Sequence, residues 1–234
     1  MQERPILFTT EMVRAILEGR KSQTRRIVKP QPPLPHLGYM MLANGLATLC
    51  GPDYPDGDDD DLPCPYGVPG DRLWVRETFL PCRHSGTACK PSEATYVCFR
   101  DGAQRFEKNG KTFEWTCENP PDWTGRKFSP SIHMPRWASR LTIDLLAVRV
   151  ERLLEITEED AMAEGAPCID NPDYDDEDPA DDEPQTHIAG FADLWVKING
   201  QESWDANPWV WALTFKVVSQ TASTPGQPAV PASR

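Results

Sequence analysis

An α+β fold, a small mixed sheet or barrel with short helices at its rim, is what this sequence of 234 residues predicts. Three observations lead to it. Segments with strand-like alternation are dispersed among a few short stretches of helical period. Proline stands at 24 residues, roughly twice the ordinary ~5%, which argues against long helices and an all-helical bundle. Hydrophobic residues make up 39%, below the usual ~45–50%, yet the length suffices for one well-packed domain.

The elements follow in order. Ile6-Leu-Phe is a short strand or extended lead into a helix with an apolar stripe of Met12, Val13, Ile16 and Leu17. Thr9 or Thr10 can cap that helix, and Gly19 is placed to end it in a left-handed conformation. Residues 29–36, KPQPPLPH, predict a polyproline-like connector, and 37–69 read as loop. Gly70 to Phe79, GDRLWVRETF, is the clearest strand, with others expected over 94–100, 113–117 and, as one long run, 139–156. Thr157 and the three acids after it open a short helix that stops near Gly165. Phe191, Leu194, Trp195 and Ile198 repeat at helical spacing within 187–200, and 207–218 alternate as a closing strand. The Ser-, Thr-, Pro- and Ala-rich stretch 219–234 reads as a disordered tail. No internal repeat is found.

Net charge is −12, but its distribution is uneven. Asp53 to Asp61 holds six acids and Asp170 to Glu183 nine, neither with a Lys or Arg. Taking those fifteen from the 36 acids leaves 21 against 24 bases, a mildly basic body at +3. The runs, within segments 51–63 and 168–186, are expected to be solvated insertions serving solubility. The body beneath them is suited to a local patch for an anionic or nucleoside ligand rather than to broad nucleic-acid binding. No apolar run approaches a membrane span, and MQERPILF lacks the apolar core of a signal peptide. Seven cysteines, an odd number without a CxxC pair, fit reduced thiols in the cytoplasm. A metal cluster of Cys82, His84 and Cys89 with Cys98 or Cys117 is the weaker reading, so no metal is expected.

Two segments concentrate polar chemistry. GRKSQTRR, Gly19 to Arg26, sets Lys21 and Thr24 three apart, on one face if the helix or a turn continues, and adds the forks of Arg25 and Arg26. In GDRLWVRETF, alternation puts Glu77 on the side of Leu73, Val75 and Phe79. A carboxylate turned toward a core needs an ion-pair partner or a role as a site acid. A third segment, PSIHMPRWASR (130–140), is a proline-stiffened loop. There Trp137 either stacks on a nucleobase or packs in the core, while His133 or Arg136 reaches a base edge or phosphate.

These residues resemble the ASCH-domain family. GRKSQTRR matches its GxKxxTxR signature at Gly19, Lys21, Thr24 and Arg26, and GDRLWVRETF, closed by Glu77, looks like its second signature. CPYGVPGDRLWVRET, PSIHMPRWASR and SWDANPWVW are similar to ASCH proteins of bacteriophages and prophages. The resemblance covers residues 4–218 as a single domain, apart from the acidic insertions. It implies a PUA-like β-barrel with flanking helices. It also implies, for some members, hydrolysis of the amide of N(4)-acetylcytidine and related N(4)-acylcytidines by residues that map onto Lys21, Thr24 and Glu77. Other members are treated as RNA-binding, some as nucleases.

The chemistry of that reaction asks for a nucleophile, a base and an oxyanion stabiliser. Thr24 is the expected nucleophile and Lys21 its base, if burial and the neighbouring Arg25 and Arg26 lower its pKa. Glu77 is either a protonated donor to the leaving nitrogen or an ionised group orienting Lys21 or water. Arg25, Arg26, His133, Arg136 and Trp137 are the expected substrate-binding set. The expected partner is a modified cytidine nucleoside, with no cofactor. The rival expectation is a non-catalytic RNA- or nucleotide-binding module, a phage accessory protein for example.

Overall fold

The computed structural model describes residues 1–32, 38–41, 46–50, 61–82, 90, 94, 96–108, 111–116, 127–170 and 185–219. Most of both acidic runs, part of the proline connector and the tail from 220 lie outside them.

Strand β1 (Glu3–Leu7) leads into helix α1 (Thr10–Leu17), which buries Val13, Ala15 and Ile16. Gly19, at φ +76°, ends it: Gly19 N–H donates to Ile16 O at 3.0 Å, and Arg20 and Lys21 N–H both reach Ala15 O. The chain then departs from the helical or turn-like relation expected for Lys21 and Thr24. Residues Gln23–Ile27 form strand β2, antiparallel to β14 (Trp209–Ser219), with Thr24 opposite Leu213. The pairing begins as soon as the helix ends, with Phe215 N–H on Ser22 O at 2.9 Å. Period two puts Gln23 and Arg25 on one face and Thr24 and Arg26 on the other.

The expected loop over 37–69 is corrected next. It contains β3 (Gly38–Met41), β4 (Leu46–Cys50) and β5 (Leu62–Pro63), an antiparallel three-stranded sheet. These strands are too short and too polar in their links to show alternation. Tyr39 instead seats the sheet by its edge contact with Trp209, centroids 6.1 Å apart.

The expected strand 70–79 is two strands. β6 (Arg72–Arg76) and β7 (Phe79–Cys82) belong to different sheets, and Glu77 and Thr78 are the crossing point. β7 leaves to pair with β8 (Tyr96–Phe99), and β9 (Ala103–Lys108) and β10 (Lys111–Thr116) extend the antiparallel meander. β9 was not legible in the sequence, because AQRFEK offers one apolar side chain besides its alanine. Two 3-10 turns, Ser131–His133 and Arg136–Ala138, occupy the proline-bracketed segment. The expected strand 139–156 is shorter: β11 spans Thr142–Arg152, and Leu153–Glu155 turn as 3-10 helix.

Helix α2 (Glu158–Ala163) is capped as expected, Asp160 N–H donating to Thr157 Oγ1 at 3.2 Å. A two-stranded ribbon, β12 (Ile169–Asp170) with β13 (Gln185–Thr186), precedes α3 (His187–Asn199) and α4 (Gln201–Asp205). The largest sheet has the order β1-β6-β11-β14-β2. Val75 N–H bonds Leu141 O and Leu145 N–H bonds Asp71 O, the falling-against-rising order of an antiparallel pair. The fold is therefore α+β, mostly strand. Among the described residues the largest sheet ends at β1 and β2, without barrel closure.

The chain forms two compact units: Met1–Arg4, Glu11–Leu73 and Asp144–Lys216 in the first, Pro5–Thr10, Trp74–Ile143 and Val217–Arg234 in the second. One core of the first unit packs Phe191 and Trp195 of α3 on Leu153, Ile156 and Val210, with Trp204 partly buried against them. The second unit has a core of Phe79, Val97, Phe99, Met134 and Ala138, with Trp137 at its margin. No helix among the described residues is long and apolar enough to cross a membrane.

Candidate functional site

In the first unit, the left-handed turn at Gly19 brings Lys21 into the protein rather than out to solvent. Lys21 is 4% exposed, and its Nζ donates to Glu164 Oε2 at 2.6 Å and to Glu164 O at 2.8 Å. Glu164 is 8% exposed and caps the end of α2. Burial lowers the Lys21 pKa from its ordinary 10.5; the Glu164 charge and hydrogen bond work the other way, and the Arg26 and Arg25 charges add to the lowering. The net direction is downward, toward the neutral amine. Thr24, 1% exposed, sits three residues on in β2.

Arg25 is the hub of the polar cluster around this lysine. Its Nη2 donates to Glu151 Oε1 and Asp160 Oδ2, both at 2.6 Å, and its Nη1 to Gln23 Oε1 at 2.8 Å. Glu164 Oε1 lies 3.4 Å from Nη1, and Arg149 closes the group by pairing with Glu151 and Asp160. Arg25, Arg149 and the Lys21 amine thus face three carboxylates, and this pairing is how so many ionisable groups come to be buried together. Arg25 Nε is buried without a hydrogen-bond partner, and the guanidinium lies 5.8 Å from the Phe191 ring centroid. Sequence reasoning assigned Arg25 to substrate; the structure shows it bound to protein carboxylates. Arg26 is half-buried, and burial lowers its pKa, opposed by the nearby Tyr66 and Glu164.

Glu77 belongs to the second unit. It is 1% exposed, and Arg140 grips both its oxygens: Nε to Oε1 and Nη2 to Oε2, each 2.8 Å. Two oxygens accepting from one guanidinium is the arrangement of a carboxylate, not a carboxylic acid. Of the two roles open to Glu77, this favours the ionised orienting group. Asp101 joins Arg140 at 2.7 Å, and the guanidinium lies 4.2 Å from the Phe99 centroid. Burial alone would lower the Arg140 pKa; the bonds and charge of Glu77, with those of Asp101, outweigh it and raise it.

The other expected ligand-binding residues also lie in the second unit. His133 is exposed on the first 3-10 turn. Arg136 is exposed on the second, with Nη2 3.4 Å from Thr142 Oγ1 and its guanidinium carbon 5.7 Å from the Trp74 centroid. Trp137 packs partly buried against the Phe79–Phe99 core, and its carbonyl accepts from Arg105 Nε at 3.0 Å. That packing favours the core reading of this tryptophan over base stacking.

Sequence reasoning missed Glu164, Asp160, Glu151 and Arg140. Glu164 lies 143 positions from Lys21 and Arg140 63 from Glu77, and no local spacing marks them. Arg140 does stand inside PSIHMPRWASR, where the pattern signalled attention to Arg136 and Trp137 instead. Among the described residues no group of three or more His, Cys, Asp or Glu is placed to hold a metal ion; His84, Cys89 and Cys117 lie outside them.

Fold and site together define an α+β protein with a buried lysine–carboxylate centre. Compared with protein-family models, curated proteins and solved structures, the chain matches none.

Proposed function

We propose that this protein hydrolyses the amide of an N(4)-acylated cytosine nucleoside, as an ASCH-like enzyme with a PUA-like barrel. The observation that carries the proposal is Lys21: a 4% exposed amine whose pKa burial lowers, in the sequence pattern, shared with the buried Thr24, that resembles the ASCH signature. A surface lysine keeps its ordinary pKa, whereas burial, with the charges of Arg26 and Arg25, lowers that of Lys21, the direction a general base needs.

In the proposed reaction Thr24 Oγ1 attacks the acyl carbon while Lys21 Nζ takes its proton. The tetrahedral intermediate collapses by breaking the bond to the exocyclic nitrogen, which leaves as the cytosine amine with the proton returned by Lys21. Water then adds to the acyl-threonine ester, releasing the carboxylic acid and regenerating the hydroxyl. Glu77 is assigned the ionised form, in accord with its Arg140 fork. Arg26 is the basic side chain of the signature proposed to meet the substrate. The compartment proposed is the cytoplasm, in keeping with the free thiols of Cys50, Cys64, Cys82, Cys98 and Cys168.

The test is incubation of the purified full chain with a panel of N(4)-acylcytidines, following loss of the acyl-cytosine absorbance. Turnover with release of cytidine supports the proposal. Ligand binding without turnover on any member of the panel turns the reading to a non-catalytic nucleotide- or RNA-binding module.

A further inference from the structure

Glu164 is shared between two cations. Its Oε2 accepts from Lys21 Nζ at 2.6 Å, while its Oε1 lies 3.4 Å from Arg25 Nη1. The same Arg25 makes two much shorter bonds, 2.6 Å each, from Nη2 to Glu151 Oε1 and Asp160 Oδ2. Its charge is therefore drawn mainly to those two carboxylates, which leaves Glu164 to the lysine. All five residues belong to the first unit.

The other acceptor on Lys21 is not adjustable in this way. Glu164 O, 2.8 Å from Nζ, is a backbone atom at the end of α2, where the chain is tied on both sides. Ser22 N–H donates to Ala163 O at 2.8 Å, and Gly165, at φ +75°, packs so closely that a Cβ there would lie 3.1 Å from Lys21 Cβ. The carboxylate is the adjustable contact, and Arg25 reaches its second oxygen. Around this trio, Arg149 of β11 pairs with Glu151 and Asp160 at 3.2 and 2.8 Å, and Arg26 of β2, itself beside Tyr66, adds its charge. Helix α3 meets the group with the Phe191 ring, 5.8 Å from the Arg25 guanidinium.

We infer that Arg25 is a positioning residue of the lysine centre: it competes with Lys21 for Glu164 and so sets how firmly that carboxylate holds the amine. Losing the Arg25 charge leaves Glu164, Asp160 and Glu151 to act on Lys21 and favours its protonated form. Weakening the Asp160 anchor turns Arg25 toward Glu164 and favours the neutral form. Both directions agree with the Arg25 charge working to lower the Lys21 pKa. Arginine suits the role because its fork spans several carboxylates and keeps its proton throughout. The effect on Lys21 stands on this geometry; its consequence for kcat rests on the proposed hydrolysis.

Carbon-13 NMR of the lysine side chains in the full chain reads the Lys21 titration directly, with the Lys21 signal assigned by its loss in Lys21→Arg. Arg25→Gln should move that titration to higher pH and, where the parent turns over an acylcytidine, carry the kcat limb with it while KM stays within about twofold. Asp160→Asn, at a side chain 19% exposed, should move it to lower pH, and decides the matter if Arg25→Gln does not fold. In a Glu164→Gln background the Asp160→Asn shift should shrink to about half or less, because Glu164 is the shared partner. An unmoved or oppositely moved Lys21 titration in either folded variant overturns the inference. So does an Asp160→Asn shift that is as large with Gln at position 164. The expected shifts in a protein that hydrolyses no acylcytidine uphold the role of Arg25 while the hydrolase proposal falls.

Discussion

Lys21 Nζ donates to both the carboxylate and the backbone carbonyl of Glu164, at 2.6 and 2.8 Å, so the amine is fixed by two acceptors of one residue at the end of α2. Burial and Glu164 pull the protonation of Lys21 in opposite directions. Burial favours the neutral amine and Glu164 the charged one, with burial the larger effect. Glu164 thereby becomes a positioning residue that sets where Lys21 titrates.

A pH profile follows from this. The neutral fraction of Lys21 grows with pH, so kcat for an acylcytidine should rise along a limb whose apparent pKa lies below 10.5. Glu164→Gln removes the group that raises the Lys21 pKa and should move the limb to lower pH. Arg26→Gln removes a charge that lowers it and should move the limb upward. The same sign governs stability: an unfolded chain holds the Lys21 proton to higher pH than the native one, so urea stability should rise with pH across that window. Limbs that coincide in all three proteins would exclude Lys21 as the titrating base.

The Glu77–Arg140 pair predicts a large loss of stability when it is broken. Glu77→Gln leaves a buried guanidinium short of charge and should cost about 3–5 kcal/mol, read from urea unfolding. Replacing both residues, as Glu77→Met with Arg140→Met, should cost less than the sum of the single changes, because no lone charge is left in the core. Additive losses would show that the two side chains do not act as a pair.

Gly190 in α3 is required for space. A Cβ built there would lie 1.8 Å from Pro167 O, a backbone atom that cannot swing away. Gly190→Ala should therefore destabilise by about 3 kcal/mol or more, measured by thermal unfolding. A change within about 0.5 kcal/mol would mean that α3 and the Pro167 segment separate without cost.

The sequence made the helices legible, and for physical reasons. α1, α2 and α3 carry local signals: apolar stripes in α1 and α3, a threonine cap at Thr157, and left-handed glycines at 19 and 165; the Thr186 cap of α3 was not read. The strands were legible only where apolar alternation was long, as in β11 and β14. β3, β4, β5 and β9 pair with their neighbours along the chain, but they are short and carry too few alternating apolar residues to be read locally. The break at Glu77 was hidden for a different reason: alternation runs through it unbroken, while the change of sheet is fixed by Phe79 pairing with Phe99 and Ser129. For the site, Lys21, Thr24 and Glu77 stood out by residue type and burial pattern. Their partners Glu164 and Arg140 did not, because an ion pair between remote segments leaves no spacing to read.

The measurement that bears most directly on the proposed chemistry compares the full chain with Lys21→Arg and Thr24→Ala on N(4)-acetylcytidine, with binding measured beside turnover. Arginine keeps the charge and reach of Lys21 but holds its proton throughout the working pH range. Threonine to alanine removes the attacking hydroxyl with little loss of volume. The account predicts that the parent turns over the substrate, that both variants bind it within a few-fold of the parent, and that both lose at least about a hundredfold in kcat. Undiminished turnover by a folded Lys21→Arg protein, or no turnover by the parent, would contradict it.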